Sequence, residues 1–280
     1  MRMMIEARAR RDFEYRNTYN RALVGRFHND LGDGPYRELH EDDDIGLFSF
    51  TGPFPERDAE KGDERGLMFA SHDPNHAAAV ARNLCTDPEL NIRGMDLRVV
   101  EAFAMDPRVG ERGELTTGTP IILRFGDDYA EEYGVDSKYD RTYWRPKHGM
   151  PLFWELLNGN LQAKYRLAFE EEPPEPPYFE GFELERTVAK PLLYDGNEVP
   201  HVSHEFTFEY EVQSAAHRKL LNLALDAGLG GLNGTGFGFM NRVEDMVGSD
   251  EEGVYSPADE RGEREREMDA SAAPTREAET

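Results

Sequence analysis

Apolar residues in the first part of the chain are spaced as in strands at some points and as in helices at others. A helix is predicted around residues 19–31, where Tyr19, Leu23, Phe27 and Leu31 stand four apart on one face. A second apolar stripe predicts a helix at 73–84, and short apolar runs predict strands at 2–8, 46–50, 66–70, 97–104 and 119–125. This mixture indicates an α+β fold.

The second part of the chain shows a similar mixture after residue 150. A helix is predicted at 151–167, and Ser214 is the predicted N-cap of another helix that ends at Ala227. The acidic, proline-rich stretch 170–177 is unsuited to a helix interior and predicts a loop. Strands are predicted at 183–193, 204–212 and 238–243.

This order of elements predicts two domains. The polar, turn-rich stretch 126–149 separates them, so we predict an N-terminal domain at 1–126 and a C-terminal domain at 140–247. Each combines strands with two helices, the element pattern of a ferredoxin-like (RRM-like) unit. The predicted fold class is therefore α+β with two tandem ferredoxin-like domains. Residues 248–280 are acidic and nearly devoid of apolar side chains, which predicts a disordered tail.

Residues 228–240, the glycine loop, contain the densest glycine cluster of the chain. Glycine permits positive φ and lets successive N–H groups converge on phosphate oxygens. A helix C-cap accounts for one glycine but not for the others. A dinucleotide-binding loop follows a strand and opens a helix, whereas here the helix comes first. We predict that the loop contacts phosphate or RNA, and glycines that serve the fold alone are the alternative. The glycines are Gly228, Gly230, Gly231, Gly234, Gly236 and Gly238.

Acidic side chains dominate the composition, with 56 Asp and Glu against 32 Lys and Arg and a formal charge of -24. At ordinary ionic strength this charge repels nucleic acid, but in molar salt the Debye length is about 3 Å and only charges in contact matter. The net charge therefore neither supports nor excludes an RNA partner, and it indicates a surface that is adapted to high salt. Cys85 is the only cysteine, which excludes an internal disulfide. Because no long apolar run is present, the sequence predicts a cytoplasmic protein.

Three segments, taken in order, resemble a known family. Residues 36–41 (Tyr-Arg-Glu-Leu-His-Glu) and 47–50 (Leu-Phe-Ser-Phe) look like the family's Leu-His-Glu segment and its Phe-Ser-Phe strand. Residues 160–165 are similar to the helix that opens its second domain, and Gly-Phe-Gly-Phe-Met at 236–240 departs by one residue from its Gly-Phe-Gly-Met. By these matches the chain resembles the CRISPR-associated endoribonucleases that process repeat RNA.

The resemblance implies two ferredoxin-like domains, with the glycine loop of the second holding RNA. It implies metal-independent cleavage of CRISPR precursor RNA within its repeats, in which the RNA 2′-hydroxyl attacks and leaves a 2′,3′-cyclic phosphate and a 5′-hydroxyl. No cofactor or metal is expected. The expected partners are repeat RNA, guide RNA and other subunits of a type I CRISPR surveillance complex. A non-catalytic RNA-binding subunit of such a complex is the alternative function.

Two histidines are the candidate catalytic residues. Imidazole suits proton transfer because its unperturbed pKa, about 6.5, makes both forms accessible near neutrality. His40 stands where the family places its histidine, and His28 stands where relatives often have tyrosine. Some relatives add a lysine soon afterwards, but this chain has aspartate at 42–44, so the third catalytic role is unassigned. Those carboxylates make a nuclease that uses two metal ions an alternative function, although the side chains of consecutive aspartates point away from one another.

Basic and aromatic residues of the second half are candidate RNA contacts as a group. Cations bind phosphate, and aromatic rings stack on unpaired bases. Each of these residues is also compatible with a solvated or core position. The group comprises Arg145, Lys147, Lys164, Lys190, Arg218 and Lys219, with Tyr143 and Trp144 as the stacking candidates.

Two further histidine pairs have spacings that suggest metal ligation. Pro74 interrupts the pair His72 and His76, and residues three apart on a strand, as in His201 and His204, point to opposite faces. We therefore predict that both pairs are structural or exposed.

Overall fold

A computed structural model of the protein describes residues 1–16, 19–28, 46–135, 142–194 and 197–244. Residues 1–242 form one compact unit, in which two antiparallel sheets each cover a hydrophobic core of their own. His40, the aspartates at 42–44 and the predicted tail at 248–280 lie outside the described residues. Among the helices that are described, none combines the length and the apolar composition that crossing a membrane requires.

Among the residues that the structure describes, the first half contains five antiparallel strands and two helices. In chain order they are β1 (Arg2–Ala9), α1 (Asn20–His28), β2 (Phe48–Phe50), β3 (Glu64–Ser71), α2 (Pro74–Thr86), β4 (Glu89–Ile92) and β5 (Met95–Met105). The strands lie in the order β2-β3-β1-β5-β4. Without the short edge strand β4, this is the ferredoxin-like arrangement, in which the first and third strands form the centre and the last strand pairs with the first.

Local sequence explains why these elements form where they do. In β1 the side chains of Met3, Ile5 and Ala7 are buried on one face, as the two-residue period of a strand requires. Helix α2 begins after Asp73, whose side chain accepts a 2.8 Å hydrogen bond from the N–H of Asn75. Pro74 follows in the first helical turn, where it leaves no hydrogen bond unmade.

The second half repeats the arrangement and adds three short elements, β7, α3 and β8, before its first long helix. In chain order they are β6 (Arg112–Thr117), β7 (Arg124–Phe125), α3 (Asp127–Glu132), β8 (Thr142–Tyr143), α4 (Met150–Phe169), β9 (Gly181–Tyr194), β10 (Asn197–Glu211), α5 (Ala215–Ala227) and β11 (Met240–Arg242). The sheet order β11-β6-β10-β9 again places the first and last strands side by side. The prediction of two ferredoxin-like units in an α+β fold is confirmed.

One predicted strand belongs to the other half of the molecule. Residues 119–125 were expected to close the first half, but Ile121 forms a β-bridge with His204, and Ile122 forms one with Gly231. The strand that opens the second sheet is β6, which pairs with β10 and β11. The chain thus changes sheets between Met105 and Arg112, upstream of the boundary predicted at 126–140. The limits of two separate domains stay a prediction.

A buried arginine joins the two halves. The Arg2 guanidinium in β1 donates hydrogen bonds to Oδ1 of Asn241 at 2.9 Å and to the carbonyl of Leu225 at 3.1 Å, and it also contacts the carbonyl of Met240. Its central carbon lies 4.6 Å from the ring centre of Phe239. A charge this well hydrogen-bonded is tolerated in the interior, so the end of the glycine loop is anchored to the first sheet.

Candidate functional site

The glycine loop leaves α5 and returns to the sheet as β11. Gly228 ends the helix with φ +78, and its N–H donates to the carbonyl of Ala224 at 2.9 Å. The loop then closes on itself, because the N–H of Leu229 donates to the carbonyl of Gly238 at 2.9 Å. A short 3-10 helix, Asn233–Thr235, forms the part between. The loop is therefore a folded element with internal hydrogen bonds.

Most of the loop glycines are required by the backbone. At Gly238, with φ +66, an added Cβ would lie 1.9 Å from the carbonyl oxygen of Leu229. At Gly230, with φ +67, it would lie 2.5 Å from the carbonyl oxygen of Ile122. Four of the six predicted glycines combine a positive φ with a contact below 3 Å, namely Gly228, Gly230, Gly236 and Gly238. These glycines serve the fold, and a role for them in binding RNA stays a prediction.

Lys164 lies beneath the loop in α4. Its Nζ donates hydrogen bonds to the carbonyl of Gly228 at 2.7 Å, to the carbonyl of Gly230 at 3.1 Å and to Oδ1 of Asn233 at 2.7 Å. Three acceptors match the three N–H groups of an ammonium. The side chain is fully buried, and this burial lowers the pKa of Lys164 to about 7. The predicted RNA contact of Lys164 is corrected accordingly, since the side chain holds the loop from inside.

Asn233 completes the internal support. Its Nδ2 donates 3.0 Å hydrogen bonds to the carbonyls of Leu229 and Phe237, on opposite arms of the loop, while its Oδ1 accepts from Lys164. From the first half, Nδ2 of Asn20 in α1 reaches the carbonyl of Thr235 at 3.3 Å. The loop is thus held between the two halves, with its shape fixed by side chains from both.

Of the other three lysines predicted to contact RNA, one lies close to the loop. Lys190 is 7% exposed, with its Nζ 6.0 Å from the ring centre of Phe237 and 3.8 Å from Glu56. Lys147 is exposed, on a 3-10 helix before α4. Lys219 pairs with Glu171 at 2.9 Å and lies about 13 Å along α5 from the start of the loop. Of the four lysines, the structure brings Lys164 and Lys190 to the loop.

The structure describes the chain position of one of the two candidate catalytic histidines. His28 is the last residue of α1, the helix whose first residue, Asn20, holds the loop. His40 lies outside the described residues. The described ranges contain no group of three or more His, Cys, Asp or Glu suited to holding a metal ion, and the aspartates at 42–44 lie outside them. Both histidine roles stay predictions.

The two other histidine pairs have structural roles. His76 is buried with its Nδ1 3.3 Å from Oγ of Ser71. The ring nitrogens of His204 lie 3.0 Å from Oγ1 of Thr187 and 2.9 Å from the carbonyl of Trp144. Burial lowers the pKa of His72, His201 and His204. Trp144, a predicted stacking residue, is instead a core side chain that is 1% exposed.

A cavity of about 260 Å³ opens beside the loop. Its walls come from the 122–126 segment, from Leu156 and Asn160 of α4, and from Gly230 and Gly231. Neither Arg124 nor Asn160 was predicted as a site residue, although Asn160 begins the family-like segment 160–165, because only the tertiary fold brings the two together beside the loop. This cavity and the braced loop form the candidate site.

The fold has close relatives among solved structures. A RAMP protein described as binding different RNA substrates is 17% identical, with a TM-score of 0.65 over 87% of this chain and 99% of the other. A Cas6-related protein of Pyrococcus furiosus is 16% identical, with a TM-score of 0.66 over 88% of this chain and 99% of the other. This chain shares with both proteins the fold of two ferredoxin-like units.

The family follows from sequence. The model of "CRISPR associated protein Cas6, C-terminal" matches residues 105–242. The CRISPR-associated endoribonuclease Cas6 of Haloferax mediterranei is 36% identical over 254 residues, which are 87% of this chain and 94% of the relative. A second Cas6 endoribonuclease, from Methanocaldococcus jannaschii, is 23% identical over 87% of this chain and its own full length. The chain belongs to the Cas6 family of CRISPR-associated endoribonucleases.

Proposed function

We propose that this protein cleaves CRISPR precursor RNA within its repeats to give guide RNAs. The observation that carries the proposal is the glycine loop of a Cas6-family chain, braced by Lys164 and Asn233 and bordered by a cavity. A preformed loop binds RNA without the entropy cost of ordering itself first. The RNA 2′-hydroxyl attacks the adjacent phosphate, which leaves a 2′,3′-cyclic phosphate and a 5′-hydroxyl.

The two histidines supply the proton transfers in this proposal. His40 protonates the departing 5′-oxygen, and His28 at the end of α1 assists as the second proton-transfer group. Positioned proton transfer contributes about 10²–10⁴-fold to a rate. The second half contributes the loop, which fixes the strand so that the attacking and leaving oxygens are in line.

The acidic surface is compatible with an RNA substrate in high salt. The formal charge of -24 repels phosphate over long distances only where screening is weak, and the Debye length falls to about 3 Å at 1 M salt. The Haloferax relative agrees with the predicted adaptation to salt. Binding then depends on contacts at the loop rather than on the field of the whole molecule. We propose that other subunits of a type I surveillance complex are further partners of the protein.

Replacing His40 tests the proposal. We expect His40→Ala to slow cleavage of labelled repeat RNA by about 10²–10⁴-fold and to leave the Kd for uncut RNA unchanged, because the imidazole transfers protons without holding the strand. His148→Gln, at a half-buried histidine of the second half, is the control and should cut normally. Unchanged cutting by His40→Ala refutes this role. Stoichiometric retention of uncut RNA by the wild type would favour the binding-subunit alternative.

A further inference from the structure

Gly231 is a loop glycine that the backbone does not require. Its φ lies outside the left-handed region, and an added Cβ would meet one neighbour, the carbonyl oxygen of Ile122, at an ordinary 3.8 Å. By contrast, Gly234, the other loop glycine without a positive φ, would place a Cβ 3.0 Å from the ring of Phe48. Gly231 lines the cavity beside the loop. A side chain at this position would therefore fill space in the cavity rather than disturb the fold.

The rest of the cavity wall has an apolar and a polar part. Ile122, Leu123, Phe125 and Leu156 provide the apolar surface. Asn160 and Arg124 provide the polar groups, and both are partly exposed. Oδ1 of Asn160 has no hydrogen-bond partner within the described ranges, and the Arg124 side chain forms no ion pair there. Unpartnered polar groups around an apolar surface are typical of a ligand site.

The dimensions of the cavity limit its occupant. Pockets that enclose drug-sized ligands have volumes of about 300–1,000 Å³, so a cavity of about 260 Å³ accepts a single ring system. Because Gly231 and its neighbour Leu232 are partly exposed, an RNA strand held on the glycine loop can turn a base directly into the cavity. A planar base has two apolar faces and a hydrogen-bonding edge, which matches the two parts of the wall.

We propose that this cavity receives one unpaired nucleobase of the RNA held by the glycine loop. The inference rests on the proposed function, since the base belongs to the repeat RNA. The apolar side chains contact the faces of the base, and the Asn160 amide, after rotation of its side chain, hydrogen-bonds its edge. The Arg124 guanidinium contacts the phosphate that flanks it. The absence of a side chain at Gly231 leaves the entrance open.

Filling the cavity tests this proposal. Gly231→Leu should weaken binding of repeat RNA by about tenfold, the loss expected when one stacked base is excluded. Gly159→Ala is the matched control, because it adds a Cβ with no neighbour within 4 Å on the exposed part of α4. The control should bind as the wild type does. Equal Kd values for Gly231→Leu and the wild type would overturn the proposal.

Abasic RNA identifies the base. In a series of repeat RNAs that each lack one base, one member should bind the wild type about tenfold more weakly than intact RNA does. The same member should bind Gly231→Leu with the same Kd as intact RNA, because that variant already excludes the base. Additive losses at every position would contradict a shared site. Asn160→Ala, which leaves the loop glycines untouched, should show the same non-additivity and keeps the test valid if Gly231→Leu does not fold. Failure of the wild type to bind or cut any repeat RNA would refute the proposed function instead.

Discussion

Nζ of Lys164 in α4 lies 2.7 Å from Oδ1 of Asn233 in the glycine loop, and the same nitrogen donates to the carbonyls of Gly228 and Gly230. One buried ammonium therefore satisfies three acceptors on the loop. Hydrogen bonds that involve an ionised donor are about twice as strong as neutral ones. We infer that this contact keeps the loop in a single conformation.

Replacing Lys164 with methionine should destabilise the protein. The thioether is similar in length but leaves three buried acceptors without a donor, so we expect the free energy of unfolding to fall by about 3 kcal/mol. Urea denaturation in molar KCl measures this free energy of unfolding. Lys147→Met, at an exposed lysine, should change it by less than about 0.5 kcal/mol. Equal stability of the two variants would show that the contact contributes little.

The same lysine predicts how stability depends on pH. Its pKa is about 7 in the folded protein and 10.5 in the unfolded chain, so the unfolded state binds the extra proton between these values. Stability therefore rises with pH in this window, by at most about 1.4 kcal/mol per pH unit for one group. Below pH 7 both states are protonated and the contribution is constant. The wild type should gain stability relative to Lys164→Met from pH 7 to 9, and a flat difference would contradict the lowered pKa.

Replacing each of two loop glycines with alanine should change the stability of the protein by very different amounts. Gly238→Ala forces a Cβ to within 1.9 Å of the Leu229 carbonyl oxygen, which must break the loop closure, and we expect a loss of about 4 kcal/mol or more. Gly231→Ala has ordinary van der Waals space and should stay within about 0.5 kcal/mol of the wild type. Thermal melts of both variants check this. Similar melting temperatures would mean that the loop backbone relaxes more easily than its contacts indicate.

Salt should stabilise the folded chain. With a formal charge of -24, repulsion between carboxylates opposes folding, and raising KCl from about 0.1 M to 1 M shortens the Debye length from about 10 Å to 3 Å. The urea midpoint should therefore rise with KCl. An isosmotic sorbitol series is the control for water activity. A midpoint that falls with salt would contradict the interpretation of the acidic surface.

Much of the fold could be predicted because apolar periodicity marks the elements that cover each core. Helix α4 and strands β1 and β3 coincide closely with their predicted limits, since the buried residues of α4 and β1 recur with a regular period and β3 contains a continuous apolar run. Strand β6 was missed because it is polar, with Leu115 as its one buried residue. Its place at the centre of the second sheet comes from pairing with β10, which no local pattern encodes.

The site could be predicted only in part. The glycine density at 228–240 identified the loop, and the Leu-His-Glu segment identified His40 as a candidate. Lys164 was predicted to contact RNA because it is one of the basic residues of the second half that stand nearest the matched motifs. Its burial depends on the helix end at Gly228 turning back over α4, a tertiary contact across 64 residues. Asn160 and Arg124 were not predicted as site residues, since only the folded chain places them in the wall of the cavity.

Incubation of labelled repeat RNA with the purified protein in molar KCl and excess chelator tests the central claim most directly. The account predicts one cut within each repeat, with a 2′,3′-cyclic phosphate on one product and a 5′-hydroxyl on the other, at the same rate with and without chelator. Cleavage that stops when the chelator is added, or products with a 5′-phosphate, would contradict it.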